Sequence, residues 1–361
     1  MSLEQALDKI RPDVLAAHAY VVQPSTGVVK LDVMENPYRL PPELQRALGE
    51  RLGAVAINRY PAERTADLAA ALKRHAGLQD LGGACGITLG NGSDELISLL
   101  TLAVSKPGAV VLSPLPSFVM YETSARHQHL RFVGVPLRAA DFELDEAAML
   151  AAIAEHQPAL VYLSYPNNPT GNLWDAGAIE RIVAAAPGLV VMDEAYQPFA
   201  SGDSLALMAR HPHVLVMRTM SKFGLAGVRI GYLCGAAELV EQIEKLRPPF
   251  NVSVLNAEAA LFALEHADVY AAQAAELRQQ RERVFSALRA LPGVTPWPSQ
   301  GNMILARVQD AAATFAALKA RGVLIKNVSA MHPLLANCLR ITIGTPDENT
   351  RLLAELTSCL S

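Results

Sequence analysis

The chain has 361 residues, 51% of them apolar and 18% charged, and its 31 Lys and Arg against 35 Asp and Glu leave a net charge of -4. This composition excludes intrinsic disorder, which needs few hydrophobes and many charges, and gives no global attraction to nucleic acid or to an anionic membrane. The length fits two or more domains of about 150 residues, enough to bury about three-quarters of the unfolded surface without covalent staples.

No apolar run reaches the ~18–20 residues of a membrane span, and the opening MSLEQALDKI lacks the basic patch and apolar block of a signal peptide. The cysteines, at 85, 234, 338 and 359, form no CxxC pair, so neither a disulfide framework nor a zinc cluster is expected. The expected compartment is a reducing cytoplasm.

Residues 1–45 are irregular and rich in proline (RPDV, VVQPSTG, ENPYRLPPEL), and are expected to form an arm on a smaller domain or on a partner chain. Residues 46–250 should form a large domain. In it, AVVLSP (109–114), ALVYLSYP (159–166), GLVVMDEA (188–195) and HVLVMRTM (213–220) are continuous apolar runs, the signature of strands covered on both faces. DELISLLTLAV (94–104) and DAGAIERIVAAA (175–186) have helical periodicity. Strand–helix alternation predicts an α/β fold with a mostly parallel sheet and right-handed crossovers, and ligands of such sheets sit beyond the carboxyl ends of the strands. Residues 251–361 should form a smaller α+β domain: a long helical pattern over 253–290, broken once, then short strands in GNMILARV (301–308), VLIKNV (323–328) and CLRITIG (338–344).

Four polar segments sit where chemistry is expected. GNGSDE (90–95) reads either as a helix cap after a glycine turn or as an anion site at a helix amino terminus, using the N–H groups of Ser93 and Asp94. YPNNPTG (165–171) reads as a turn, or as a strand end from which Asn168 donates to a phenolate oxygen. In MDEAY (192–196), Asp193 is costly to bury unless it meets a cation; it reads as a loop acid or as the partner of a protonated heterocyclic nitrogen, with Tyr196 nearby. In RTMSKFGLAGVRIGY (218–232), Lys222 reads as a solvated loop lysine or as an amine nucleophile, flanked by the anion ligands Thr219, Ser221 and Arg229. Together these groups make a shell complementary to pyridoxal 5′-phosphate. The HxH pairs His127/His129 and His211/His213 have no third ligand in register, so no metal is expected.

The ordered set GNGSDE, YPNNPTG, MDEAY and TMSKFGLAGVRIGY resembles the fold-type I aminotransferases that use pyridoxal 5′-phosphate, and most of all the histidinol-phosphate aminotransferase family; ENPYRLPPEL, NRYP (58–61) and CLRITIGTPDEN (338–349) extend the likeness over nearly the whole chain. The resemblance implies a three-layer large domain, a small domain and a homodimer. It makes Lys222 the amine that holds the cofactor aldehyde and then moves a proton, and makes Asp193 the partner of the ring nitrogen. Asn168 and Tyr196 match ligands of the ring oxygen, and Phe118 the ring stacked on the cofactor. Ser93, Asp94, Thr219, Ser221 and Arg229 match the phosphate cup, which Tyr60 completes from the neighbouring subunit. Arg340 matches the ligand of a substrate carboxylate, with Tyr20, Asn36 and Lys326 on the substrate side. The substrates it implies are histidinol phosphate and 2-oxoglutarate. An aromatic amino acid aminotransferase, a decarboxylase of a phosphorylated amino acid and a non-catalytic regulatory module are the alternatives. Three positions depart from the family pattern. Lys222 and Arg229 stand seven rather than eight residues apart, Met34 replaces an asparagine, and Lys326 stands near an expected arginine.

Overall fold

Seven strands form the central sheet of the computed structural model, which describes residues 2–19, 23–61, 63–81 and 85–360; Tyr20 lies outside them. Their spatial order is Cys85–Gly90, Gly231–Ala236, Val214–Thr219, Leu189–Asp193, Leu160–Ser164, Val110–Leu115, Arg131–Pro136. Only Gly231–Ala236 is antiparallel to its neighbours. The other neighbouring pairs are parallel.

The four apolar runs all form strands, and alternation within them builds two cores. Val161, Leu163, Val190, Met192, Val214 and Val216 pack on one face of the sheet. Leu160, Tyr162, Val191, Leu215 and Met217 pack on the other. Helices cover both faces, which explains why the strands read as unbroken hydrophobic blocks. Asp145 and Asp175 cap two of these helices by accepting from Ala148 N and Ala178 N.

The 253–290 pattern forms Val254–Glu265 and Ala267–Ala290, broken at His266. Ala257, Ala260 and Leu261 of the first helix, and Tyr270 of the second, join a core of the large sheet. Leu277, Val284 and Leu288 join a separate core with Leu305's neighbours Ile304 and Met303 and with Leu339 and Ile341. The change of core therefore falls inside the long helix, between Tyr270 and Ala274. Its physical cause is that one continuous helix offers different turns to two sheets.

The smaller sheet is antiparallel, in the order Lys326–Asn327, Cys338–Thr342, Met303–Arg307, Thr295–Pro296. VLIKNV does not form one strand: Val323–Leu324 pairs instead with Val29–Lys30 in a two-stranded parallel sheet. That pairing anchors the irregular arm. Leu31 and Met34 are buried in the smaller core, and Thr342 N donates to Leu31 O at 3.1 Å. The segment from 31 to 35 is thereby stretched across the carboxyl edge of the large sheet.

Leu31→Ala should test this anchor. The side chain is 1% exposed, so its truncation should cost about 2–5 kcal/mol in equilibrium unfolding by urea. An effect below about 1 kcal/mol would mean that the arm is not fastened by this contact.

Candidate active site

Five strands point their carboxyl ends at the same edge of the large sheet, and each of the four polar segments follows one of them. Cys85–Gly90 leads into Ser93, Val110–Leu115 into Phe118, Leu160–Ser164 into Asn168, Leu189–Asp193 into Tyr196 and Val214–Thr219 into Lys222. They enclose a cavity of about 330 Å³. Ser93, Asp94, Phe118, Asn168 and Asp193 line it. So do Tyr196, Thr219, Ser221, Lys222 and Arg229. Val33, Met34 and Glu35 of the amino-terminal segment also line it.

The helix Ser93–Ala103 begins without a side-chain cap, because its N-cap is Gly92, at φ 79°. The capping reading of Ser93 and Asp94 is therefore replaced by a bare amino terminus, whose N–H groups and dipole favour an anion. Glu95 instead accepts from Asn91 N at 2.6 Å. Two glycines allow the close approach of the walls. A Cβ on Gly92 would lie 2.4 Å from Arg229 Nη2, and one on Gly231 would lie 2.7 Å from Ser93 N. Arg229 takes a left-handed φ of 57° after the turn at Gly224. Despite the shorter step from Lys222, its Nη1 donates to Ser221 Oγ at 3.2 Å and its Nη2 lies 3.5 Å from Asp94 Oδ2. Helix terminus, hydroxyls and guanidinium thus form a cradle suited to a phosphate.

Asp193 is 3% exposed, and no cation pairs with it among the described residues. Burial pushes its carboxyl up to about 6, against the pull of two donors. These are Tyr121, whose hydroxyl donates to Oδ2 at 2.6 Å, and Ala195 N, which donates to Oδ1 at 3.1 Å. Tyr121 was not among the expected residues. It is fully buried and stacked on Tyr162 at 4.3 Å. Its position three residues after Phe118, in the first turn of the helix Met120–His127, is the only sequence signal for it.

Lys222 Nζ donates to Val33 O at 2.8 Å and lies 6.0 Å from the Tyr196 ring centroid. Burial first, and then the charges of Arg340 and Arg229, lower its pKa to about 8. A much larger fraction of this amine is neutral near pH 7 than of an ordinary lysine. Burial also raises the Tyr196 hydroxyl, which stays protonated and can donate.

Asn168 and Arg340 meet although 172 residues separate them: Arg340 Nη1 donates to Asn168 Oδ1 at 2.7 Å. With its amide oxygen so engaged, Asn168 turns its NH₂ into a donor for a ligand. Arg340 Nη2 donates to Asp32 O at 2.7 Å. Lys326 is the register partner of Arg340 across the small sheet, so both side chains leave the same face, and neither is part of the cavity wall, which Arg340 meets through its bond to Asn168. Asn36 also stands outside that wall, donating to Gln273 Oε1 at 2.9 Å. Tyr60 is 76% exposed and stacked on Phe250 at 4.4 Å, away from its own chain's Lys222 cavity.

The residues present fit pyridoxal 5′-phosphate on two counts. The carboxylate of Asp193 is buried without a cation, as a protonated ring nitrogen would require, and the glycine-walled cradle at Ser93 and Arg229 accepts an anion.

The lowered pKa of Lys222 predicts a pH-dependent penalty. Below about pH 8 the folded, ligand-free protein must bury a cation. The penalty fades between 8 and 10.5, where the unfolded chain still holds the proton and the folded chain does not. Lys222→Met should therefore stabilise the ligand-free protein at pH 7 by up to about 3 kcal/mol, and the gain should vanish above pH 10.5. Thermal unfolding of both proteins across this range checks it; a gain that does not change with pH contradicts the burial of the charge.

The family model for aminotransferase class I and II matches residues 26–356. The histidinol-phosphate aminotransferase of Methylibium petroleiphilum is 65% identical over 355 residues, covering 98% of this chain and 95% of the relative. That of Paracidovorax citrulli is 61% identical over 371 residues, covering 99% of each. Among solved structures, the histidinol-phosphate aminotransferase of Sinorhizobium meliloti in complex with pyridoxal 5′-phosphate aligns with a TM-score of 0.85 at 27% identity, over 98% of this chain and 97% of that one. With its motifs gathered around one cavity and matched along almost its full length, the chain belongs to the aminotransferase class I and II family.

Proposed function

We propose that this chain is a pyridoxal 5′-phosphate-dependent histidinol-phosphate aminotransferase, moving an amino group from histidinol phosphate to 2-oxoglutarate. The observation that carries the reading is the pairing in one cavity of a half-buried amine, Lys222, with a buried carboxylate, Asp193, that has no cation partner among the described residues. The high identity to the relatives of that name supports the substrate.

When bound, the cofactor supplies a protonated ring that withdraws electrons from the substrate carbon. The chain's own residues do the rest. Asp193 holds the proton on the ring nitrogen, with Tyr121 orienting the carboxylate. Lys222, partly neutral at working pH, would hold the cofactor aldehyde as a nucleophile and then serve as the base that carries the proton away from the substrate Cα. Asn168 and Tyr196 donate to the ring oxygen. Phe118 covers one face of the ring. Ser93, Thr219, Ser221 and Arg229 bind the phosphate, with Asp94 holding Arg229 in place. Arg340 binds a carboxylate of the oxo acid, whose oxygens suit its planar fork. Asn36 and Lys326 serve the substrate side.

The active unit is a homodimer in the cytoplasm. Tyr60, exposed and turned from its own cavity, reaches the partner subunit's phosphate. No helix among the described residues is long and apolar enough to cross a membrane.

A panel of amino donors followed by the loss of the bound cofactor's visible absorbance tests the substrate. Histidinol phosphate should exceed phenylalanine and tyrosine in kcat/KM by about a hundredfold or more. Preference for the unphosphorylated aromatic donors would make the chain an aromatic amino acid aminotransferase instead. Lys222→Ala should still bind the cofactor but leave it unattached after borohydride reduction and peptide mapping. Asp193→Ala should lose turnover by about a thousandfold or more, since nothing else nearby can hold the ring proton.

A further inference from the structure

An ionic cluster is buried directly behind the catalytic strand ends. Glu194, next in sequence to Asp193, is 1% exposed, and Arg218, four residues before Lys222, is 7% exposed. Neither lines the Lys222 cavity; both line a neighbouring cavity of about 340 Å³. Arg218 Nε donates to Glu194 Oε2 at 2.8 Å, and its Nη2 lies 2.8 Å from the same oxygen and 3.2 Å from Asp203 Oδ2. Ser204 N donates to the other carboxylate oxygen of Glu194. Across the next strand, Tyr232 stands in register with Arg218.

The place of this cluster is informative. The parallel ladder between Leu189–Asp193 and Val214–Thr219 ends with Asp193 opposite Met217, and Glu194 N adds one more bond to Met217 O at 2.8 Å. The ion pair then ties the two chains by their side chains just where both leave the sheet for the active site. A buried ion pair is a poor source of stability compared with well-packed apolar residues of similar size. It differs from them in direction: an apolar pair tolerates a small slide of one strand end past the other, whereas a charged fork on a carboxylate does not.

We propose that Arg218, gripped by Glu194 and Asp203, is a positioning residue that sets the spacing between Asp193 and Lys222. The inference rests on the roles given to those two residues above. It makes the cluster a clamp for catalytic geometry and not a contribution to the core.

The test uses the dimeric enzyme saturated with pyridoxal 5′-phosphate and four variants. Asp203→Asn, whose side chain is 35% exposed, should lower kcat about three- to tenfold. Arg218→Lys keeps the charge but loses the fork, and Arg218→Met loses both; the latter should lower kcat about a hundredfold, with KM for both substrates changed less than about threefold. In each, the pH midpoint of the bound cofactor's visible absorbance should move by about half a unit or more. The double variant Glu194→Leu/Arg218→Met removes the buried charges together. It should recover the melting temperature but neither kcat nor the spectral midpoint. Recovery of all three would reduce the cluster to packing and overturn the proposal. So would wild-type kcat and midpoint in both Asp203→Asn and Arg218→Lys, which keeps the question decidable if Arg218→Met does not fold. Borohydride trapping of the cofactor on Lys222 of the unaltered enzyme checks the site assignment separately, so failure of the clamp and failure of the proposed function give different results.

Discussion

A buried carboxyl, Asp193, and a half-buried amine, Lys222, at one edge of a parallel sheet, neither in an ion pair among the described residues, constrain the rest of this molecule. Among the described residues Asp193 accepts from a phenol and a backbone N–H, and the Lys222 amine donates to a backbone carbonyl and stands 6.0 Å from the Tyr196 ring. Each is pushed toward its neutral form by burial. Such an arrangement costs free energy in the ligand-free protein. A ligand that is cationic where it faces Asp193 and electrophilic where it faces Lys222 would relieve both costs.

The scaffold brings these groups to one cavity. Parallel strands covered on both faces place their carboxyl ends in one plane, and residues from five of them converge there without any loop having to be long. The amino-terminal arm closes the cavity from the other side. It is fastened by a two-residue parallel pairing, by Leu31 in the smaller core and by Arg340 on Asp32 O. The smaller domain thereby contributes to the site both directly and through this strap. Val33 O, which receives the Lys222 amine, belongs to the strap.

Electrostatic roles are divided between neighbouring residues along the same strands. Asp193 faces the cavity and Glu194 the ion pair behind it; Thr219 serves the cradle and Arg218 the ion pair. Two-residue alternation thus lets a single strand end carry a reactive group and its brace.

The apolar runs, their strand–helix rhythm and the four polar segments were legible in the sequence because they obey local rules: side-chain period, strand ends and turn chemistry. The antiparallel strand Gly231–Ala236, with its small and mixed residues, carried no such signal, and the boundary between cores was hidden within a continuous helix. Local pattern determined which segments carry Lys222, Asp193, Asn168 and Arg229. Only the tertiary structure decided that Tyr121 holds Asp193, that Gly92 and not Ser93 is the N-cap of the helix Ser93–Ala103, and that Arg340 reaches Asn168 across 172 residues. Those contacts join residues distant in the chain, and a side chain's partner across such distances is set by how sheets and helices pack, which no short-range periodicity encodes.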